Sequence, residues 1–178
     1  YTTGESSNLE FDPRCFNIIY IGNGNILYKS YDNGYSAIPV YDFGESVTSI
    51  EVGWDNPDIL YVATYSGYWE EKNIWRSEDA GQNFVNITPT FPGIEEDNWI
   101  PYDITVSSQN AYHVWIARCP NNLGYNMYEG SKVYKSINGG ESWINITGSN
   151  LMGENITNIE YQRGSNDGIY LGTRKNVY

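Results

Sequence analysis

Short runs of alternating apolar and polar residues recur along this chain, and none keeps the three-to-four-residue period of a helix. One set reads Ile19-Tyr20-Ile21-Gly22, Leu60-Tyr61-Val62-Ala63, Val114-Trp115-Ile116-Ala117 and Ile169-Tyr170-Leu171-Gly172. Ahead of each lies a shorter run: Ile50-Glu51-Val52, Ile104-Thr105-Val106, Ile159-Glu160-Tyr161 and, more loosely, Leu9-Glu10-Phe11. A third set is Leu27-Tyr28-Lys29-Ser30, Ile74-Trp75-Arg76-Ser77 and Val133-Tyr134-Lys135-Ser136, and Val177-Tyr178 begins a further copy. A fourth follows as Phe84-Val85-Asn86-Ile87 and Trp143-Ile144-Asn145-Ile146, with Ala37-Ile38-Pro39-Val40 a degenerate version. Gly, Asn and Asp punctuate the runs, so the pattern predicts repeated units of four short antiparallel strands.

The connection between the third and fourth strands repeats in its chemistry. It is Ser30-x-Asp32-x-Gly34, Ser77-x-Asp79-x-Gly81 and Ser136-x-Asn138-x-Gly140, followed by Phe84 and Trp143 in the last two copies and by Ala37 in the first. Asp or Asn accepts hydrogen bonds from backbone N–H groups further along a turn, and Gly supplies a positive φ. A corner built this way with Ala37 in place of the aromatic is expected to be held less firmly. The aromatic of the third strand recurs at intervals of 47 (Tyr28 to Trp75), 59 (Trp75 to Tyr134) and 44 (Tyr134 to Tyr178) residues. That is the size of one blade of a β-propeller. A four-stranded sheet cannot bury both faces alone, and radial stacking solves this. The fold class expected is therefore all-β, a β-propeller of four-stranded antiparallel blades in one segment spanning residues 1–178. The blades fall at about 8–41, 42–91 and 92–151, with a partial one at 152–178. Closed rings have roughly 4–8 blades. Three and a half blades imply a longer natural protein or a partner chain that completes the ring.

Composition narrows the function. Gly, Tyr and Trp number 18, 17 and 6, and the net charge is −12. So acidic a chain repels phosphate backbones, which argues against nucleic acid. No apolar stretch approaches the length of a membrane-spanning helix. The start at Tyr1 without Met or a signal peptide reads as a mature form or an excised piece. One His and two Cys, Cys15 and Cys119, give no metal-ligand spacing. No cofactor or metal is expected.

The Ser-x-Asp-x-Gly-x-x-Trp/Phe pattern resembles the Asp box, or BNR repeat, of sialidases, sortilin-like Vps10 domains, xyloglucanases and many secreted bacterial propellers. The resemblance runs over essentially the whole chain and implies that Asp32, Asp79 and Asn138 are structural, neither catalytic nor calcium ligands. Gly140-Glu141-Ser142-Trp143-Ile144-Asn145-Ile146-Thr147-Gly148 and Gly164-Ser165-Asn166-Asp167-Gly168-Ile169-Tyr170-Leu171-Gly172-Thr173 are similar to large secreted propeller proteins of Bacteroidota. Those are often exported by the type 9 secretion system, which implies a secreted or cell-surface protein.

In an up-down sheet the 1–2 and 3–4 connections share one end, and the 2–3 and 4–1 connections share the other. The longest connections fall at this second end, and they carry the ligand-binding candidates. These are Tyr68, Trp69, Glu70 and Glu71, then Tyr125 and Tyr128, then Glu95, Asp97 and Trp99, with Arg118 closing a second strand. Aromatic faces suit sugar rings or peptides, and amides and carboxylates suit their polar groups. Two functions compete. One is a non-catalytic propeller that binds glycan or protein. The other is a glycoside hydrolase whose site spans this segment and further blades. The first is favoured. The arginine cluster and the Phe/Tyr-Arg-Ile-Pro motif of sialidases are absent, and a hydrolytic carboxylate pair would have to come from Glu70, Glu71, Glu95, Glu96 and Asp97. The Asn-Ile-Thr tripeptides at 86, 145 and 155 recur with the repeat, and His113 reads as a packed or edge residue.

Overall fold

The computed structural model describes residues 8–66, 72–88, 99–120 and 131–178, of which residues 72, 99–102, 119 and 120 are described in their backbone only. Blade 1 holds β1 (Asn8–Phe11), β2 (Ile19–Asn23), β3 (Ile26–Ser30) and β4 (Ile38–Asp42). Blade 2 holds β5 (Ser46–Val52), β6 (Leu60–Tyr65), β7 (Lys72–Ser77) and β8 (Val85–Asn86). Blade 3 holds β9 (Trp99–Val106), β10 (Val114–Pro120), β11 (Lys132–Ser136) and β12 (Ile144–Asn145). Blade 4 holds β13 (Ile156–Tyr161) and β14 (Ile169–Thr173), with a bridge from Gly172 to Val177 starting a third strand. Each sheet is an antiparallel meander in chain order.

Alternation along each strand sends side chains to two neighbours. Tyr20 and Leu27 of blade 1 meet Ile50, Val52, Leu60 and Val62 of blade 2. Tyr61, Ala63 and Ile74, on the other face of blade 2, meet Ile104, Val114, Ile116 and Tyr134 of blade 3. Trp115, Ala117 and Val133 then meet Ile159, Tyr161 and Leu171 of blade 4. The core is thus three equivalent apolar layers between consecutive blades.

The three corner turns share one hydrogen-bond scheme. The serine hydroxyl accepts from the glycine N–H two residues after the acid or amide: Ser30 from Gly34 at 2.8 Å, Ser77 from Gly81 at 2.9 Å and Ser136 from Gly140 at 2.8 Å. It donates at 2.8 Å to Asp32, Asp79 or Asn138. The same oxygen of that residue accepts the N–H of Ser36, Asn83 or Ser142 at 2.8, 2.8 and 3.0 Å. Two successive residues are left-handed in each turn, with φ of 60° and 84° at Asn33-Gly34, 57° and 88° at Ala80-Gly81, and 68° and 90° at Gly139-Gly140.

The basic residue of the third strand staples its blade to the next. Lys29 Nζ donates to the Ala80 carbonyl at 3.2 Å, and Arg76 Nη1 donates to the Gly139 carbonyl at 2.6 Å. Lys135 pairs at 2.6 Å with Asp167 of blade 4, which also meets His113 Nδ1 at 3.1 Å. Burial alone would raise the Asp167 carboxyl, but the hydrogen bonds from Lys135 and His113 outweigh it and hold it below its ordinary value.

The fourth strands differ in length. The degenerate copy forms the longest one, β4, whereas β8 and β12 have two residues each. Asn-Ile-Thr is the reason. Asn86 and Asn145 each accept the N–H two residues on at 2.9 Å. The hydroxyls of Thr88 and Thr147 then accept the N–H of Ile74 and Val133 at 2.8 and 2.9 Å, ending the ladder. Blade 1 lacks that tripeptide, so its ladder continues past a register shift opposite Pro39. Cys15 is an exposed free thiol in the 1–2 connection of blade 1. Among the described residues no helix is long and apolar enough to cross a membrane.

Candidate functional site

The sequence placed ligand contacts at the end of the blades away from the serine-containing corners. Tyr68, Trp69, Glu70, Glu71, Glu95, Asp97, Tyr125 and Tyr128 lie outside the described residues. Arg118 and the backbone of Trp99 lie within them, and strand register brings the two together. Trp99 pairs with Pro120, and Arg118 pairs with Pro101 and Lys132.

That register also shows what the repeat puts at these positions elsewhere. The inner strands of blades 2, 3 and 4 skip a residue at the same point, between Val47 and Ser49, between Pro101 and Asp103, and between Ile156 and Asn158. Thr64, Arg118 and Thr173 stand opposite Val47, Pro101 and Ile156. Two residues earlier stand Glu45, Trp99 and Glu154. In blades 2 and 4 the pair is structural. Thr64 Oγ1 donates to Glu45 at 2.5 Å, with Asn73 Nδ2 on the other carboxylate oxygen at 2.6 Å, and Thr173 Oγ1 donates to Glu154 at 3.1 Å. Blade 3 replaces this pair with Trp99 and Arg118. The Arg118 side chain is buried, and burial pushes its pKa down to about 10, against a smaller opposing effect of Tyr134. A guanidinium is a planar fork of donors whose geometry matches a carboxylate.

A second constellation lies on the inner strands, and sequence reasoning passed over it. Glu10, Glu51, Thr105 and Glu160 occupy one repeat position on β1, β5, β9 and β13, each opposite the aromatic of the second strand. The recurring Glu between two apolar residues was the available signal. Glu51 and Glu160, with Trp54 and Arg163, line a cavity of about 180 Å³ that Glu10 and Thr105 also reach. The Arg163 guanidinium carbon sits 3.8 Å from the centre of the Trp54 ring. Burial raises the Glu51 carboxyl well above the usual range, and the charges of Glu10, Glu160 and Asp103 add to this. Glu10 is raised by burial and by Glu160.

Neighbouring inner strands are clasped by polar side chains. Ser49 Oγ accepts the Ile104 N–H at 3.3 Å, Asp103 accepts the Ile159 N–H at 3.2 Å and Thr105 Oγ1 accepts the Tyr161 N–H at 3.0 Å. Among the described residues no three His, Cys, Asp or Glu side chains are grouped to hold a metal ion. The inner strands thus bring carboxylates together along one cavity wall, with Arg163 stacked on Trp54 beside them.

No family model matches the chain, and no curated protein sequence matches it. Solved structures do. The GH74 enzyme of Niastella koreensis is 21% identical at a TM-score of 0.64, over 92% of this chain and 28% of that one. The GH74 xyloglucanase of Xanthomonas campestris is 15% identical at a TM-score of 0.73, over 95% and 27%. YCF48 bound to D1 peptide is 14% identical at a TM-score of 0.60, over 94% and 47%. The chain spans about a quarter of the length of these GH74 structures. The likeness is one of fold, and the fold is a β-propeller built of four-stranded antiparallel blades.

Proposed function

We propose that this chain is a run of blades from an extracellular or cell-surface propeller that binds glycan or protein, without transforming it, through the 2–3 and 4–1 connections. The observation that carries the reading is the break in the repeat at blade 3. Where blades 2 and 4 use a Thr–Glu pair to hold themselves together, blade 3 carries Arg118 and Trp99, the residue types of a recognition surface. The corner turns at the other end have the hydrogen-bond economy of Asp boxes, and their polar groups serve the fold itself. The secreted placement rests on the resemblance to Asp-box propellers of Bacteroidota. The peptide in the YCF48 structure supports a binding role for folds of this shape.

The GH74 likenesses support a second reading, a glycoside hydrolase whose site is shared with further blades. One experiment separates the two. The chain is passed over immobilised plant and microbial polysaccharides and over peptide arrays, and reducing ends are assayed in parallel. Binding predicts retention without release, weakened about tenfold or more by Trp99→Ala and by Arg118→Lys. Release of reducing ends that disappears in Glu70→Gln, Glu71→Gln or Asp97→Asn supports the hydrolase instead. Unchanged retention in the Trp99 and Arg118 variants defeats the site assignment.

A further inference from the structure

Glycine has no Cβ to shield its nitrogen, so an asparagine ahead of it is open to attack by that nitrogen on its own amide carbon. The chain has three such pairs, Asn23-Gly24, Asn33-Gly34 and Asn138-Gly139, and one acid counterpart, Asp167-Gly168. In sequence the three amides are equivalent. In the fold they are not.

At three of the four pairs the glycine N–H is already committed. Gly34 donates to Ser30 Oγ at 2.8 Å, Gly139 to the Tyr112 carbonyl at 2.9 Å and Gly168 to Ser165 Oγ at 2.8 Å. The Asn138 side chain is held as well. Its Oδ1 accepts from the Ser136 hydroxyl and the Ser142 N–H, and its Nδ2 donates to Ser142 Oγ. The fourth pair differs. Among the described residues, neither the Asn23 side chain nor the Gly24 N–H has a hydrogen-bond partner. Asn23 is exposed, and with Ile26 it forms the last pair of the β2–β3 ladder, where local opening costs least.

We infer that Asn23 is a site of spontaneous modification, converting to aspartate and isoaspartate in the folded chain while Asn33 and Asn138 keep their amides. The Gly24 nitrogen gives its proton to base and bonds to Asn23 Cγ, and the side-chain nitrogen leaves as ammonia. Water then opens the succinimide ring. Opening at Cγ gives aspartate. Opening at the main-chain carbonyl gives isoaspartate, whose backbone is longer by one carbon. Water is the sole co-reactant, and nothing is oxidised or reduced.

The turn that carries Asn23 is docked on the next blade. The Gly24 carbonyl accepts the Val47 N–H at 2.8 Å, and the Asn25 carbonyl accepts the Phe43 N–H at 2.9 Å. Gly24, at a φ of 58°, turns the chain between β2 and β3 in two residues. An extra backbone carbon lengthens so tight a turn and carries those carbonyls away from their donors. Isoaspartate at position 23 therefore loosens the junction of blades 1 and 2 at the 2–3 end. The inference is independent of the ligand reading above, which stands or falls on blade 3.

Peptide mapping by mass spectrometry, with detection of isoaspartate, tests it on the full chain aged in mildly alkaline buffer, folded or in urea. In urea the three amides should be lost at similar rates. In the folded chain Asn23 should be lost about tenfold faster, or more, than Asn33 and Asn138. Hydrogen exchange at the Val47 N–H should rise as isoaspartate accumulates. It should stay flat in Asn23→Gln, whose longer side chain closes a ring far more slowly and whose exposed position leaves the parent's circular dichroism unchanged. Equal loss at the three sites in the folded chain, or an Asn23 amide that outlasts the others, overturns the inference. So does the same ranking in urea, which would assign it to local sequence. Unchanged Val47 exchange in the fully converted chain overturns the link to the blade junction.

Discussion

The outer corner and the inner edge of blade 2 lie in the same sheet and treat a carboxylate in opposite ways. At the corner, Asp79 accepts from Ser77, Gln82 and Asn83, and the Asn83 side chain, ahead of the rest, holds its carboxyl below the ordinary value. At the inner edge, Glu51 faces Glu10, Glu160 and Asp103, with Arg163 the one charge that relieves it, and burial raises it. The corner uses charge to fix local backbone, so its polar atoms are committed before any ligand arrives. The inner wall crowds carboxylates around a single arginine, so ionisation of Glu51 and Glu10 is disfavoured there. Architecture is stored in the first region and responsiveness in the second.

The largest effect is expected from breaking a corner where it also touches the next blade. Gly140 has a φ of 90°, and a Cβ added there runs into Ile87 of blade 2. Gly140→Val combines left-handed strain with a clash at the interface and should cost about 3 kcal/mol or more in urea unfolding. Gly44 is the control. Its φ is 71°, but an added Cβ meets nothing within 4 Å, so Gly44→Val should cost only about 1–2 kcal/mol. Equal losses would mean that the corner contributes no more than backbone strain. Next comes Ser77→Ala, which leaves the buried Gly81 N–H without its acceptor, at about 1–2 kcal/mol.

These corners were legible in the sequence because a turn needs particular residues at fixed spacing, and Ser, Asp and Gly declare themselves when they recur. The blade count and strand order followed from them. Lys29, Arg76 and Lys135 were visible as a repeated basic position, but the acceptors are backbone carbonyls of the following blade for the first two and the Asp167 carboxylate for the third, which no local pattern reveals. Glu10, Glu51 and Glu160 were equally periodic. A Glu between two apolar residues reads as the wet side of a half-buried strand, and only the radial arrangement turns that side toward other blades and their carboxylates. Blade 1's fourth strand reads as a degenerate copy in sequence, yet strand length is set by the presence or absence of Asn-Ile-Thr. For the ligand end, the exceptional pair Trp99 and Arg118 became meaningful once register aligned it with Glu45–Thr64 and Glu154–Thr173.

Glu51→Gln tests the inner half of the comparison. A carboxyl raised on folding keeps its proton in the folded state over a window where the unfolded chain has lost it. Its ionised form therefore lowers stability progressively as pH rises from the ordinary carboxylate range to the raised value. The glutamine variant lacks that penalty. Its thermal midpoint should match the parent's at acid pH and exceed it at neutral pH. A constant offset across the pH range would show that Glu51 acts through packing alone.

The smallest effect is expected at the Asp79 corner, and blade 3 already contains the evidence. Asn138 makes the same turn with an amide. Its Oδ1 accepts the Ser142 N–H, and its Nδ2 donates to Ser142 Oγ at 2.9 Å. In Asp79→Asn the new side chain keeps the bond to the Asn83 N–H, and Asn83 needs only to turn its amide oxygen toward the new Nδ2. The change at pH 7 should be about 0.5 kcal/mol or less, as for other solvated surface groups. The acid response is where the two corners differ. Asp79 is depressed on folding, so its contribution is fully present above the unfolded carboxylate value and is lost as pH falls through the folded one. Asp79→Asn removes that loss, so the parent should destabilise more than the variant between neutral and acid pH, while Asn138→Asp should acquire the same acid sensitivity in blade 3. If neither exchange moves the acid limb of the thermal midpoint, the charge at the corner is incidental and the turn is held by geometry alone.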